Sequence, residues 1–302
     1  MPAPTTIEQL LPPSAKEALR HLELHARRSV DGLRHGVHRS RRSGVSTDFD
    51  HHKNYVAGDP LKHIDWKASA RHDRFYVKRY VEETALAVRL VVDRSGSMLQ
   101  ATDGVSKYEQ ACRLAASLAY LVIKERDAAG LALAAAREII WLPAGASDTH
   151  LVRILDALVA NGAGTPDNLS ACLRAIRERA ERRGLVVVIT DLLFDPLPVQ
   201  RELGRLQAQG HEVLLFQVRD ATEEEFPFNR WAQFHCLENP AVKHRLDTVP
   251  LKRIYREEYQ ALLADWRAWT KQHGMDFVSF RTTDRVERVL ADYLADRVRV
   301  AR

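Results

Sequence analysis

One stretch of the chain, residues 86–98 with the sequence LAVRLVVDRSGSM, constrains the fold more than any other. Its first seven residues are mostly apolar and rich in β-branched side chains, as in a strand that is buried on both faces. The acid Asp93 and the hydroxyls of Ser95 and Ser97 follow at alternate positions. An extended segment can turn these oxygens to one side, at the carboxyl end of a sheet, where open α/β sheets bind their ligands.

The oxygens of this D-x-S-x-S segment allow two interpretations. Oxygen donors without nitrogen or sulfur suit Mg²⁺ or a similar cation rather than zinc. The alternative is a turn in which the serines hydrogen-bond to their own backbone. The segment alone leaves both interpretations open.

Two later segments favour the metal hypothesis. Thr165 follows a glycine-rich loop, Asn161–Gly164, and can supply a third hydroxyl. Asp191 directly follows a second buried-strand pattern, Leu185–Thr190. The alternation of strand and helix patterns predicts an α/β fold, a doubly wound and mostly parallel sheet with helices on both faces. Such a sheet can bring the three segments together.

The combination of these motifs resembles a von Willebrand factor A domain that carries a metal-ion-dependent adhesion site. The resemblance implies that Ser95, Ser97 and Thr165 ligate a metal ion, and that Asp93 and Asp191 bind it directly or through water. The expected ion is Mg²⁺, with Mn²⁺ or Ca²⁺ as substitutes.

The segment that precedes this domain has a signature of its own. Residues 46–80, STDFDHHKNYVAGDPLKHIDWKASARHDRFYVKRY, resemble the domain-of-unknown-function 58 family, whose members carry a von Willebrand A-like domain after such a segment. The matching residues are Phe49, Tyr55, Gly58, Asp59, Ile64, Asp65, Trp66, Ala68, Ala70, Arg71, Val77 and Lys78. One departure is Lys53, where the family commonly has arginine, so a bidentate contact is replaced by a point charge.

The patterns predict three parts of the chain. These are an N-terminal helix in residues 1–35, a β-rich accessory segment in 36–84 and the von Willebrand A-like domain in 85–302, with a hairpin appendage near 226–251. The acidic run Glu223–Glu225, just before the hairpin, is predicted to be solvated.

Composition and charge exclude several classes of protein. The 302-residue chain has a net charge of +5, and basic residues are concentrated in residues 16–42. No aromatic platform or nucleic-acid motif accompanies them, so we expect a solvated face and no nucleic-acid partner. Three cysteines are too few and too scattered for a disulfide framework or a zinc knuckle, and Cys112 and Cys172 fall within helical patterns as core thiols.

No apolar run approaches the roughly 20 residues needed to span a bilayer, and no signal peptide is recognised at the start. We therefore expect a cytoplasmic protein without a transmembrane segment. The loop at residues 161–165 lacks the G-K-[ST] ending of a P-loop and follows a helix pattern, so neither ATP nor NAD is expected as a ligand.

The function expected from these features is binding rather than catalysis. Neutral hydroxyl ligands leave much of the positive charge of a metal ion unneutralised. This charge attracts a carboxylate from a partner protein, which completes the coordination shell of the ion. A catalytic Mg²⁺ site gathers more carboxylates and a nearby base, and no such base is evident. The family resemblance implies a MoxR-type AAA+ ATPase as partner, and a client protein in chaperone-like assembly. Two alternatives stay open: an Mg²⁺-dependent hydrolase that uses the same five residues, and a purely structural metal.

Overall fold

The computed structural model describes residues 6–20, 22, 49–56, 64–66, 68–69, 75–80, 86–102, 104–134, 139–164, 168–180, 182–237 and 241–300. The chain forms two compact units. One comprises residues 1–37 and 86–302, and the other comprises residues 38–85.

The strands are β1 (Phe49–Asn54), β2 (Tyr76–Tyr80), β3 (Ala87–Val92), β4 (Ala128–Leu133), β5 (Ile140–Gly145), β6 (Leu185–Thr190), β7 (Glu212–Arg219), β8 (Trp231–His235), β9 (Lys243–Asp247) and β10 (Asp276–Arg281). The helices are α1 (Ile7–Leu10), α2 (Pro13–Arg20), α3 (Lys107–Lys124), α4 (Asp148–Ala160), α5 (Leu169–Arg179), α6 (Pro196–Ala208), α7 (Ala221–Glu225), α8 (Thr248–Gln272) and α9 (Val286–Val300).

Six strands of the larger unit form one sheet in the order β10-β7-β6-β3-β4-β5. Neighbouring strands are parallel, except that β5 runs antiparallel to β4 at one edge. Numbered along this unit, the order is 3-2-1-4-5-6, the order of doubly wound folds. The predicted α/β, mostly parallel sheet is therefore confirmed.

Helices cover both faces of the sheet, and each face has its own apolar core. Side chains of α3, α4 and α9 contribute to one core cluster, and side chains of α5, α6 and α8 contribute to the other. Every residue of β3 and β6 is buried, which explains why both strands are almost entirely apolar in the sequence, apart from Arg89 and Thr190. Cys112 and Cys172 lie in these cores, as predicted.

The connections from β3 and β6 leave the sheet on opposite faces. The helix α3 that follows β3 packs in one cluster, and the helix α6 that follows β6 packs in the other. The carboxyl ends of these two adjacent strands therefore flank the point where the strand order reverses, which is the binding crevice of doubly wound sheets.

One feature of the larger unit differs in detail from the sequence patterns. Within its described residues, the N-terminal part has two helices, α1 and α2, rather than one, and residues 23–35 lie outside the described residues.

The hairpin appendage comprises β8 and β9, which pair antiparallel between Trp231 and Asp247. No helix of the described residues combines the length and the apolar character that crossing a membrane requires.

In the unit of residues 38–85, β1 and β2 pair antiparallel, with an irregularity between Phe49 and His51. The rings of Trp66 and Phe75 meet edge to face with their centroids 6.1 Å apart. Several signature residues, among them Gly58, Asp59 and Arg71, lie outside the described residues.

Candidate metal centre

The D-x-S-x-S segment forms a tight turn at the carboxyl end of β3. The amide of Asp93 still donates to the carbonyl of Ile189 in β6 (3.0 Å). The amide of Ser95 donates to Oδ1 of Asp93 (2.9 Å), so the carboxylate closes a turn over its own backbone. A short 3₁₀ helix, Gly96–Leu99, follows. This conformation brings the hydroxyl oxygens of Ser95 and Ser97 to 3.1 Å from each other.

The end of β6 lies against this turn. The hydroxyl of Thr190 donates to Oδ2 of Asp93 (2.6 Å), and both side chains are completely buried. The next residue, Asp191, is only 1% exposed, and its Oδ1 accepts from the amide of Leu193 (3.1 Å). The structure therefore brings four of the five predicted site residues to one edge of the sheet: Asp93, Ser95, Ser97 and Asp191.

The glycine-rich loop is joined to the same turn by the residue between Asp93 and Ser95. The guanidinium Nε of Arg94 donates to the carbonyl of Gly162 (2.7 Å), and the amide of Gly164 donates to the carbonyl of Arg94 (3.0 Å). The hydroxyl of Tyr108 in α3 donates to the carbonyl of Asn161. Thr165, the fifth predicted residue, lies outside the described residues.

A fully buried lysine, Lys107, lies at the same edge of the sheet. It is the first residue of α3, and its ammonium lies 2.5 Å from Oδ2 of Asp191 and also bonds to a carboxylate oxygen of Glu223 in α7. Burial opposes the charge of this lysine, but the two carboxylates raise its pKa above the ordinary value. Lys107 is therefore a charged side chain that bridges two acids.

The position of Glu223 corrects one prediction. The acidic run Glu223–Glu225 is not a fully solvated segment, because it forms most of α7 and Glu223 points to Lys107 with 12% of its side chain exposed. Glu224 pairs with Arg219 and Arg281. Glu223 and Glu224 look solvated in the sequence because Lys107 and Arg281, two of their cationic partners, are distant along the chain.

The spacing of the serine hydroxyls fits a cation such as Mg²⁺. Mg²⁺ binds six oxygens in near-octahedral geometry at about 2.0–2.1 Å, so adjacent ligand oxygens lie about 3 Å apart. The observed separation of the Ser95 and Ser97 oxygens is 3.1 Å. In the described part of the chain, no group of three or more His, Cys, Asp and Glu could hold a metal ion, so a cation at this edge of the sheet would need the serine hydroxyls as ligands.

Sequence reasoning missed Lys107 and Thr190 as parts of this site. The signal for Lys107 was its position: it lies four residues before Ala111 and seven before Leu114, which are both buried in α3. Such a lysine falls on the buried face of its helix. Thr190 carried no comparable signal, because β-branched residues are common in buried strands.

Comparison with protein families identifies the chain. The family described as protein of unknown function DUF58 matches residues 51–269, most of the chain. The chain belongs to the DUF58 family. The membership expected from the residue 46–80 signature and the D-x-S-x-S motif is thus confirmed.

This DUF58 chain is similar in sequence to two bacterial proteins. An uncharacterized protein of Mycobacterium tuberculosis strain H37Rv, Rv1480, is 28% identical over 290 residues, which cover 95% of this chain and 89% of the relative. The uncharacterized protein YeaD of Bacillus subtilis strain 168 is 26% identical over 170 residues, 54% of this chain and 40% of that protein.

Solved structures show only distant similarity to this DUF58 chain. The conserved hypothetical protein BatB from Bacteroides thetaiotaomicron aligns with a TM-score of 0.44 and 12% identity, over 71% of this chain and all of that one. The VWA domain of SpRpn10 aligns with a TM-score of 0.40 and 8% identity, over 69% of this chain and 95% of the domain. The α/β fold therefore rests on the order and direction of the strands in this chain, and not on its similarity to these structures.

Proposed function

We propose that this chain is a metal-dependent protein-binding module. The observation that carries the proposal is the pair of hydroxyl oxygens of Ser95 and Ser97, 3.1 Å apart at the point where the strand order of the sheet reverses. Mg²⁺, or Mn²⁺ or Ca²⁺ in its place, is the proposed ion. Ser95, Ser97 and Thr165 would hold it, with Asp93 and Asp191 as the nearby negative charges.

The donor set favours binding over catalysis. A divalent ion held by neutral hydroxyls would offer a positive charge to a carboxylate of a partner protein. Hydrolysis would need a group that accepts a proton. Both carboxylates are already engaged in holding the site together, because Asp93 accepts from Thr190 and Ser95, and Asp191 accepts from Lys107 and the backbone.

The hairpin β8–β9 supports a protein partner. It follows α7, the helix of Glu223, and exposes apolar side chains: Trp231 is 64% exposed and Leu246 is 40% exposed. The guanidinium of Arg245 lies 5.7 Å from the ring centroid of Trp231. Because Trp231 pairs with Asp247 and Leu246 pairs with Ala232, the two apolar side chains lie on opposite faces of the hairpin. The exposed ring of Trp231 is of a type that is enriched in protein interfaces, and the neighbouring cation favours an acidic partner.

The partner is proposed from the family resemblance. We propose a MoxR-type AAA+ ATPase, for which this chain acts as an adaptor in the cytoplasm, in chaperone-like assembly or maturation of a client protein. In this scheme a carboxylate of the partner completes the coordination of the metal ion.

The test is capture of a purified MoxR-type ATPase from the same organism on the immobilised chain, in Mg²⁺ and in EDTA. We expect capture by the wild type in Mg²⁺ only, and none by Ser97→Ala. Ser279→Ala is the matched control, because Ser279 lies on the edge strand β10 and bonds to Gln217 instead of the site. Equal capture by a folded Ser97→Ala variant would contradict the proposal.

The same protein preparation tests the alternatives. A screen of phosphate ester and peptide substrates with Mg²⁺ and Mn²⁺ should show no turnover; turnover that Ser97→Ala abolishes would favour the hydrolase. A melting temperature that falls sharply in EDTA, with ATPase capture unchanged, would favour a purely structural metal.

A further inference from the structure

Lys107 occupies a position that two physical effects make unfavourable for a cation. Its side chain is completely buried, and transfer of a charge out of water is costly. It is also the first residue of α3, where the positive end of the helix dipole repels a cation. Something at the site must offset both effects.

Two carboxylates from different elements provide that compensation. Asp191, at the end of β6, and Glu223, in α7, both bond to the Lys107 ammonium. Asp191 also belongs to the proposed metal centre. A single side chain thus supplies positive charge at the edge of the sheet where the proposed metal ion would act.

We propose that Lys107 is a resident cation of this centre: its ammonium neutralises part of the charge of Asp191 and Glu223 and thereby lowers the affinity of the site for a divalent ion. The inference rests on the proposed metal site, but on neither the identity of the partner nor the presence of catalysis. In this proposal Lys107 is not a metal ligand, and it influences metal binding indirectly, through its bond to Asp191.

The physical basis is the fixed charge of a side chain in a region of low dielectric. A divalent ion near Asp191 would be repelled by the ammonium, and water does little to screen charges that are fully buried. The same ammonium holds the two acids together without any divalent ion, so the fold should tolerate removal of metal. Metal binding would then be weak and reversible, which suits a regulated contact.

Three variants test this inference, because each changes the charge of the side chains around Asp191. Lys107→Met removes the positive charge with little change in side-chain length, Glu223→Gln removes one negative charge, and the double variant Lys107→Met/Glu223→Gln removes both. Binding of Mg²⁺ alone is measured by isothermal titration calorimetry, and binding of Mn²⁺ alone by the loss of its free-ion signal in electron paramagnetic resonance. Circular dichroism checks that each variant folds.

We expect Lys107→Met to bind Mg²⁺ at least tenfold more tightly than the wild type, and Glu223→Gln to bind it more weakly. The Mg²⁺ affinity of the double variant should lie between those of the two single variants. If Lys107→Met folds only in the presence of metal, the double variant is compared with Glu223→Gln instead. Added Mg²⁺ should also raise the melting temperature of Lys107→Met more than that of the wild type. A purely structural lysine would not give tighter metal binding when it is removed.

The outcomes separate this inference from the proposed function. If the wild type binds Mg²⁺ and the folded variants that lack Lys107 bind it no more tightly, the inference is overturned and the metal-dependent function stands. If only the variants that lack Lys107 bind Mg²⁺, the inference is supported and the metal-dependent function of the wild type is contradicted. If none of the proteins binds Mg²⁺ or Mn²⁺, both are overturned.

Discussion

The hydroxyl oxygens of Ser95 and Ser97 lie 3.1 Å apart on a turn that begins at the end of a fully buried strand. The turn is held by the Asp93 carboxylate on one side and by the glycine-rich loop on the other. The fold therefore holds the backbone that carries both hydroxyls, and a cation would meet two hydroxyl oxygens that already lie side by side.

The first prediction concerns the Ser97 hydroxyl. Ser97→Ala removes one of two adjacent oxygen donors, and we expect Mn²⁺ affinity to fall at least about tenfold because loss of a direct ligand should cost no less than loss of an outer-shell partner. Ser97 is half-buried, so the free energy of unfolding should change by less than about 1 kcal/mol. Electron paramagnetic resonance and urea unfolding measure the two quantities; unchanged Mn²⁺ affinity would exclude Ser97 as a ligand.

The second prediction contrasts Asp191 with Ser97. Asp191→Ala leaves the buried Lys107 ammonium with Glu223 as its remaining acidic partner. A buried charge that loses every partner costs about 3–5 kcal/mol, so we expect urea unfolding to show a clear loss of stability that stays below this value. Because the variant is unstable, its failure to bind a partner would say nothing about metal binding by Asp191.

A double variant provides the control for Asp191. In Asp191→Ala/Lys107→Met the cation that has lost one of its two acidic partners is removed as well, and we expect part of the lost stability to return. Equal stability of Asp191→Ala and the wild type would show that the ion pair contributes little, contrary to this account.

Part of the sheet could be predicted from sequence, most directly where a strand is buried on both faces. Leu185–Thr190 was predicted with the bounds that β6 has in the structure. There, helices on both sides of the sheet require apolar residues at nearly every position, and the strand ends where Asp191 begins. Asp93, Ser95 and Ser97 were found in the same way, as polar residues directly after an apolar run.

The contacts across the site could not be predicted, because they join residues that are distant in sequence. Lys107 and Glu223 are separated by 116 positions and meet only when α3 and α7 fold onto the same sheet edge. Each looks ordinary by itself, one as a basic residue near a helix start and the other as part of an acidic run. Their pairing depends on the strand order, which no local pattern contains.

The third prediction concerns the backbone of the glycine-rich loop. Gly164 has a φ of +100°, and a Cβ there would lie 3.1 Å from Cδ1 of Leu99. Gly164→Ala should therefore destabilise the fold by about 1–3 kcal/mol and loosen the loop that precedes Thr165. Chemical denaturation measures the first effect, and weaker Mn²⁺ binding would report the second.

Gly204 offers the same substitution in a different environment. It lies within α6, and a Cβ there would have no neighbour within 4 Å. Gly204→Ala should raise the free energy of unfolding by about 0.5–1 kcal/mol, because alanine restricts the unfolded chain and favours the helix. If Gly164→Ala stabilises the fold as Gly204→Ala does, or leaves its stability unchanged, the strain assigned to Gly164 is wrong.

The fourth prediction is a dependence of stability on pH that originates at His211. Burial, and then the positive charge of Arg89, lower the pKa of the His211 imidazole to about 4. In the unfolded chain the imidazole titrates near about 6.5, so between the two values the unfolded state binds a proton that the folded state does not. Stability is therefore complete above pH 6.5 and falls as the pH drops towards 4, by up to about 3 kcal/mol from this group.

Urea unfolding at pH 7, 6, 5 and 4 tests this linkage, with His211→Gln as the control that should flatten the dependence above pH 4. Arg89→Met tests its cause. Arg89 is 6% exposed, its Nη2 donates to the carbonyl of Arg182, and its buried Nη1 has no hydrogen-bond partner. Replacement of this charge by an apolar side chain should raise the pKa of His211, measured by NMR, and leave the stability at pH 7 equal or higher. An unchanged His211 pKa in Arg89→Met would show that the Arg89 guanidinium does not contribute to the shift.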